Sequence, residues 1–569
     1  MTRPPVHRLL VLLVAMCVAL GGIVTRLVML QVRESGTFAA LGAEQRIRTE
    51  DLPATRGDIL DREGTPLAIT LDARDIYANP ALVTDAAGEA AQIAPVLGLD
   101  VKDVRAALRG EGTFVYVQRQ ADRDLAQQVA DLHLAGIGFL TAAARDYPGG
   151  NLASQVLGFV GVDGTGLSGL EEEYEPLLAG TPGERTMELS AQGQEIAGGV
   201  DVTRAPQPGG DLVLTIDRQI QFQAQRYLRT AVRDNHAKGG TIIVMDPRTG
   251  DIYAMASYPS FDPNRFADAP QEAWRNRAVT DTWEPGSVNK IITAAAAIET
   301  KSVSPTDRFV VPATRDVDGY VIHDAEIHPP EEMMLGDIIA KSSNVGSSLV
   351  ADRVGSPVMA SYFARFGYGQ PTGVGFPGEA AGMMPPLAGW TALTRATASF
   401  GAGVSATPLQ MAGVYATIAN DGTWVQPRLV RATVGPDGAM HDAAPSPTRD
   451  VLHPETADLL TRMLAYAVAD GTGENAQIVG YQVAGKTGTA KKLDDRGRYT
   501  NRYVASFIGF LPASQPRVVV AAIIDEPRTV YGGVAAAPLF QQVARYAIQR
   551  LGIEPAPPVR LPPHAIPVP

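Results

Sequence analysis

The hydrophobic pattern changes period several times along the chain. Leu9 to Val24 carries no charge, and after Thr25 and Arg26 the apolar run resumes from Leu27 to Leu30. Taken as one helix, segment 9–30 spans about 33 Å at ~1.5 Å per residue, enough to cross a bilayer. Arg26 lies near one end, where its stem can reach the interface. Arg3 and Arg8 precede the run and set residues 1–8 on the cytoplasmic side. No small-x-small cleavage site follows. The pattern therefore predicts a retained single-pass anchor rather than a removed signal peptide.

Residues 31–212 alternate short apolar pieces with turn residues, as in "ATRGDILDREGTPLA" (Ala54 to Ala68). The RGD triplet inside it is too short to carry an adhesion reading. "GLSGLEEEYEPLLAGTPG" (Gly166 to Gly183) predicts a turn, an acidic helix start and a Gly/Pro stop. In "QPGGDLVLTID" (Gln207 to Asp217), Pro-Gly-Gly breaks the chain before a strand and puts a domain boundary near 212. Beyond it the period turns helical, with Ile220, Ala224, Leu228 and Val232 on one face. Two strand-like runs follow, "GTIIVMD" and "GDIYAMASYP", joined by Pro247-Arg248-Thr249-Gly250. A more helical middle reaches about residue 470. Strands return in "YQVAGKTGTA", "RYVASFIGFLP" and "RVVVAAIIDEP". A last helix, Ala536 to Leu551, aligns Leu539, Phe540, Val543, Ala547 and Leu551. Strands at both ends with helices between predict an α+β domain over residues 213–554: one antiparallel sheet, an inserted helical region, and helices packed on its faces. Residues 555–569 hold seven prolines and are expected to stay unpacked.

Composition narrows the function. The 569 residues imply two to four domains, and 45% hydrophobic with 19% charged residues is the balance of a folded protein. A net charge of -12 argues against a nucleic-acid binder. Cys17, the single cysteine, sits in the apolar run, so the rest of the chain has no disulfide to make and no thiolate metal site.

Gly480 to Ala490, "GYQVAGKTGTA", fits the pattern of a phosphate-binding loop. Its variable positions, Tyr481, Gln482, Val483 and Ala484, favour a strand, and no amphipathic helix follows. ATP is also not normally available outside the cytoplasmic membrane. The Lys486-Thr487-Gly488 triplet therefore fits better on a strand, with Gly488 letting a ligand approach the backbone.

That triplet is the third of three pieces. In "WEPGSVNKIITAAAAIET" (Trp283 to Thr300), Ser287 stands at a helix start and Lys290 one turn on, on the same face. A helix start favours a serine that must behave as an alkoxide, with an amine nearby to take its proton. Burial among apolar neighbours would lower the Lys290 pKa enough for that role. "AKSSNVGSS" then supplies Ser342, whose hydroxyl can relay a proton, and Asn344, whose amide can hold a substrate carbonyl. The Lys486 ammonium with the Thr487 and Thr489 hydroxyls makes a place for a carboxylate.

S-x-x-K, S-x-N and K-T-G in this order resemble the signature of penicillin-binding proteins and serine β-lactamases. "RNRAVTDTWEPGS", "KSSNVG", "TPLQMAGVYATIANDG" and "KTGTAKKLDDRGRYTNRYVASFIGFLPASQPR" resemble the cell-division branch of the class B penicillin-binding proteins, the FtsI type. "RGDILDREG" and "GLSGLEEEYEPLLAG" resemble the pedestal motifs of that class. The likeness covers most of residues 40–555. Division enzymes often carry Thr after the serine and Pro after the lysine, where this chain has Val288 and Ile291.

The resemblance implies a five-stranded antiparallel transpeptidase fold with helices on both faces and an all-helical subregion, above a dimerisation-type pedestal. It implies a serine D,D-transpeptidase that cross-links peptidoglycan stem peptides ending in D-Ala-D-Ala and is trapped by β-lactams. Ser287 would be the nucleophile, Lys290 its base and Ser342 the relay. The backbone N–H groups of Ser287 and Thr489 would form the oxyanion site. Asn344 would orient the stem, and Lys486, Thr487 and Thr489 would grip the carboxylate. No metal or cofactor is implied. Partners would be a SEDS glycan polymerase of the FtsW type and other divisome membrane proteins, at the septum. A secreted β-lactamase is disfavoured by the anchor, the large N-terminal region and the lack of a glutamate motif for deacylation. A β-lactam sensor or inactive scaffold, and an elongation enzyme of the same chemistry, remain as alternatives.

Overall fold

The structure, a computed structural model, describes residues 6–33, 42, 46–188, 190, 196–494 and 496–562. Arg3 with the rest of 1–5, Asp495, and 563–569 of the proline-rich tail lie outside the described residues. Val6–Val28 is one α-helix that runs into a π turn, Met29–Arg33. The span Val6–Val32 is long and apolar enough to cross a membrane. It starts three residues earlier than the apolar run predicts, because Val6, His7 and Arg8 continue the same helix.

By packing, the chain forms two compact units, Met1–Thr55 with Gly180–Pro208, and Arg56–Ala179 with Gly209–Pro569. The first contains a three-stranded antiparallel sheet in which Gly183–Glu188 lies between Ile47–Leu52 and Asp201–Arg204.

The second unit is built on a five-stranded antiparallel sheet: β1 (Gly239–Met245), β2 (Ile252–Tyr258), β3 (Ala484–Leu493), β4 (Tyr499–Leu511) and β5 (Val518–Asp525), in the order β2-β1-β5-β4-β3. The near-continuous apolar runs of β1 and β5, residues 242–245 and 518–524, reflect burial on both faces. Ile242, Val244, Val520, Ala522 and Ile524 face a cluster built on α1 (Arg218–Asp234) and the last helix, Ala537–Leu551. Ile243, Met245, Val519, Ala521 and Ile523 face the other cluster, which contains the inserted helices. The stripes predicted for both helices lie in the first cluster, with Leu551 at its margin.

The hairpin joining β1 and β2 closes through Asp246 N–H to the Asp251 carbonyl, 2.9 Å, with Gly250 at φ +75°. Residue 212 lies inside the strand Asp211–Leu214, which pairs parallel with Ile59–Leu60 and antiparallel with Val430–Val434.

The two pedestal motifs meet in this unit around one buried carboxylate. The acidic segment forms two short helices, Gly169–Glu173 and Glu175–Leu178. Glu171, fully buried, takes Arg56 on one oxygen at 2.7 Å and Arg145 on the other at 2.8 Å. Tyr147 OH also donates to it, at 3.2 Å. Arg56 reaches Glu175 as well, at 2.7 Å. The acidic run reads as a helix start in sequence, and its Glu171 anchors two arginines in the interior.

The tail expected to stay unpacked does not, as far as residue 562. Val559 N–H donates to Gln482 Oε1 at 2.6 Å, and Gln482 Nε2 donates back to the Val559 carbonyl at 3.2 Å. Ser514 Oγ donates to the Pro557 carbonyl, and Leu561 packs on the core. Proline brings no N–H, so an extended proline-rich segment has few donors to satisfy when it is laid on a surface.

Removing one partner of a buried ion network leaves uncompensated charge. Glu171→Ala strands Arg56 and Arg145 and is expected to cost about 3–5 kcal/mol. The readout is a lowered urea midpoint for the detergent-solubilised chain.

Candidate active site

Ser287 lies in a 3-10 turn, Gly286–Asn289, that runs directly into α2 (Lys290–Glu299). In a 3-10 turn residues three apart eclipse one another, which brings the serine and lysine side chains into line. Lys290 Nζ stands 2.9 Å from Ser287 Oγ. The turn is fixed from several sides. Gly286 takes φ +58° and donates its N–H to the Gly401 carbonyl at 3.1 Å. Tyr415 OH donates to the Val288 carbonyl at 2.9 Å, and Tyr368 OH donates to Asn289 Oδ1 at 2.6 Å. Val288 and Ile291, the two departures from the division pattern, are core residues.

Ser342 and Asn344 come from the corner between the helix Leu335–Ala340 and α3 (Asn344–Val354). Ser342 takes φ +62°, which turns its carbonyl and hydroxyl toward Lys290, at 2.5 and 3.2 Å from Nζ. Asn344 is half-buried, and its Nδ2 donates to the His323 carbonyl at 3.0 Å.

Lys486, Thr487, Gly488 and Thr489 lie on β3, at the edge of the five-stranded sheet. Lys486 Nζ lies 3.3 Å from Thr472 Oγ1 and from Thr487 Oγ1. Those two hydroxyls are 2.6 Å apart. Thr489 Oγ1 accepts the Gly532 N–H at 3.1 Å. The glycine in this triplet has a structural cause of its own. A Cβ on Gly488 would lie 2.3 Å from Ser506 Oγ, 3.0 Å from Val288 Cγ1 and 3.1 Å from the Pro285 carbonyl. The serine turn therefore rests directly on this point of β3.

Both lysines are about 1% exposed. Burial, reinforced by the neighbouring Lys486 charge and opposed by Asp324, pushes Lys290 well below the ordinary lysine range. Burial lowers Lys486 to about 7. Ser287, Ser342, Asn344 and Thr489 are half-buried, so the hydroxyls open on a cleft while the ammonium groups lie beneath it. The cleft joins a hydroxyl to an amine able to take its proton, with a second hydroxyl in reach of the same amine.

The chain is similar to known proteins over nearly its whole length. The penicillin binding protein transpeptidase domain model matches residues 240–545, and the penicillin-binding protein dimerisation domain model matches residues 51–214. The chain belongs to the class B penicillin-binding proteins. Among the members, peptidoglycan D,D-transpeptidase FtsI of Escherichia coli K12 is 34% identical over 94% of this chain and 90% of its own length. Penicillin-binding protein PbpB of Mycobacterium tuberculosis is 36% identical over 97% and 86%. The crystal structure of penicillin binding protein 3 from Mycobacterium tuberculosis in complex with aztreonam matches with a TM-score of 0.72 at 33% identity, covering 90% of this chain and all of that one.

Several members of the site carry no signal in the sequence of this penicillin-binding protein. Thr472 lies in the Gly471-Thr472-Gly473 turn, which reads as a loop. Asp324 lies in the irregular segment "HDAEIHPP". Glu284 accepts the Gly403 N–H at 2.7 Å and the Tyr499 hydroxyl at 3.0 Å, tying the serine turn to the start of β4. Burial raises the Glu284 pKa, against both of those bonds.

The contact at Gly488 is directly testable. Gly488→Ala forces the serine turn off β3, and acylation by a fluorescent penicillin is expected to fall about a hundredfold. Ser506 Oγ has no hydrogen-bond partner among the described residues, so Ser506→Ala alone should change little. Combined with Gly488→Ala it removes the 2.3 Å contact and should restore part of the rate.

Proposed function

We propose that this enzyme, a peptidoglycan D,D-transpeptidase by family, acts through an acyl-enzyme at Ser287 during septal wall synthesis. The observation that carries this reading is the 2.9 Å approach of a buried, low-pKa Lys290 to Ser287 Oγ. Neutral Lys290 takes the hydroxyl proton as Oγ bonds to the penultimate D-Ala carbonyl carbon. Negative charge then grows on that carbonyl oxygen, between the backbone N–H groups of Ser287 and Thr489. As the C–N bond breaks, the proton passes by way of Ser342 Oγ to the departing D-Ala amine. An amine from a neighbouring strand then attacks the ester, forms the cross-link and returns Ser287 to its hydroxyl form. Asn344 orients the stem peptide. Lys486, Thr487 and Thr489 hold the terminal carboxylate, and Gly488 keeps the serine turn close to them. A β-lactam follows the first half of this path and stays as a slow ester.

The N-terminal helix is read as a single-pass anchor, with the catalytic domain on the cell-wall side of the bacterial cytoplasmic membrane. Residues 31–212 are read as the pedestal and 213–554 as the transpeptidase domain. The dimerisation and transpeptidase matches support this division. A SEDS glycan polymerase of the FtsW type and other divisome membrane proteins are the partners this reading calls for. The septal role is supported by the names of the FtsI and PbpB relatives. Depletion in cells should then give filaments, and rounded cells would assign the enzyme to elongation.

Two outcomes test the chemistry. Fluorescent penicillin should label wild type at Ser287 alone by peptide mapping, and Ser287→Ala should abolish both labelling and cross-linking. Modification at any other residue overturns the assignment. With Lys486 at about 7, the empty cleft holds a charged lysine below that pH and a neutral one above it. Above about pH 7 an incoming carboxylate must bind along with a proton. The second-order rate of acylation by a penicillin should therefore carry a penalty that grows toward about tenfold per pH unit on the alkaline side. The methyl ester of the same penicillin should show no such penalty.

A further inference from the structure

Asp324 is absent from the catalytic roles above, yet it bonds directly to Ser343 and Asn344 of the corner that carries Ser342. It lies just beyond the strand Tyr320–His323, with its side chain 7% exposed. One oxygen accepts the backbone N–H groups of Asn344 and Val345, at 2.5 and 3.0 Å. The other accepts Ser343 Oγ at 2.6 Å and faces His328 Nε2 at 3.2 Å. Ser343 in turn caps α3, accepting the Gly346 N–H at 2.8 Å. A carboxylate at this end of an eleven-residue helix also meets its unpaired N–H groups and positive pole.

These bonds attach to the three residues that follow Ser342. The left-handed backbone of Ser342 is unfavourable for an L-residue, so its neighbours have to impose it. That backbone in turn sets the Ser342 carbonyl and hydroxyl against Lys290.

We infer that Asp324 is a positioning residue of the acyl-transfer reaction: its buried carboxylate pins the Ser342–Asn344 corner at working distance from Lys290. This rests on the assignment of Ser287 and Lys290 given above. The carboxylate has an electrostatic part as well. The charged groups facing Asp324 are His328 on its own segment and Lys290 on α2. Glu331 faces His328 in turn, and Lys486 faces Lys290. The Asp324 charge supports the protonated form of Lys290 against burial and Lys486. His328 Nδ1 lies 2.7 Å from the Pro329 carbonyl while Nε2 faces Asp324. Only an imidazolium donates to both. Partial burial works against that charge, but Pro329, Asp324 and Glu331 outweigh it and raise the His328 pKa.

The test is the pH profile of second-order acylation by fluorescent penicillin, on the full-length detergent-solubilised chain. Asp324→Asn loses the charge and the oxygen that takes Ser343 Oγ and faces His328, which weakens the anchor. The plateau rate should fall about tenfold or more, and the acid limb should move to lower pH as Lys290 loses its counter-charge. His328→Gln keeps a donor toward Asp324 but removes the cation. Its acid limb should move the opposite way, to higher pH. A wild-type rate and limb in Asp324→Asn overturn the inference. So does a reduced rate with an unmoved limb, which is what loss of a merely structural contact gives. If Asp324→Asn does not fold, an unshifted or acid-shifted limb in His328→Gln overturns it instead. Peptide mapping of the wild-type adduct separates the two claims, because labelling away from Ser287 sinks the reaction assignment first.

Discussion

Two lysines are buried in one cleft, and that burial organises the catalytic unit around it. Taking an ammonium group out of water is costly unless acceptors replace the water. For Lys290 the acceptors are Ser287 Oγ and the carbonyl and hydroxyl of Ser342. For Lys486 they are the hydroxyls of Thr472 and Thr487 with the Thr487 carbonyl. None of these is charged, so each lysine gives up part of its proton affinity. The same deficit that makes the lysines expensive lowers the hold of Lys290 on its proton. The 3-10 turn, the left-handed serine and the edge strand are three local conformations that serve one electrostatic requirement.

The parts of this arrangement that follow a period are legible in the sequence. The α1 stripe from Ile220 to Val232 and the last-helix stripe both pack as their spacing dictates, and the runs of β1 and β5 alternate between two cores. The segment around Lys486 reads as a strand because its variable positions are strand-forming, and it is one. What escapes is whatever depends on a partner far along the chain. Asp324 and Thr472 sit in aperiodic turns and acquire meaning only from Asn344 and Lys486. Glu171 belongs to an acidic run that reads only as a helix start, and its burial follows from two arginines that sequence spacing cannot bring to it. The tail misleads for a related reason. Proline richness marks a chain that makes little structure by itself, which says nothing of whether a surface such as Gln482 will take it.

Glu171 also gives the pedestal motifs a shared physical basis. Arg56 and Glu171 lie far apart in sequence, and each motif alone is a string of turn residues. Together they form a buried charge pair, extended by Arg145 and Tyr147. Gly57 N–H adds a backbone bond to the Leu178 carbonyl at 2.9 Å. The motifs are therefore two halves of one joint.

The strand order β2-β1-β5-β4-β3 sets a timetable for the nascent polypeptide. The early hairpin of β1 and β2 and the late hairpin of β3 and β4 share no edge, and β5 alone bridges them. Until Asp525 has left the ribosome and reached its destination, the Gly286–Asn289 turn has no finished floor. Both hairpins meanwhile expose open ladder groups to any other extended chain. Closure of the catalytic sheet therefore waits on its last strand, and pairing between segments so far apart in sequence is intrinsically slow.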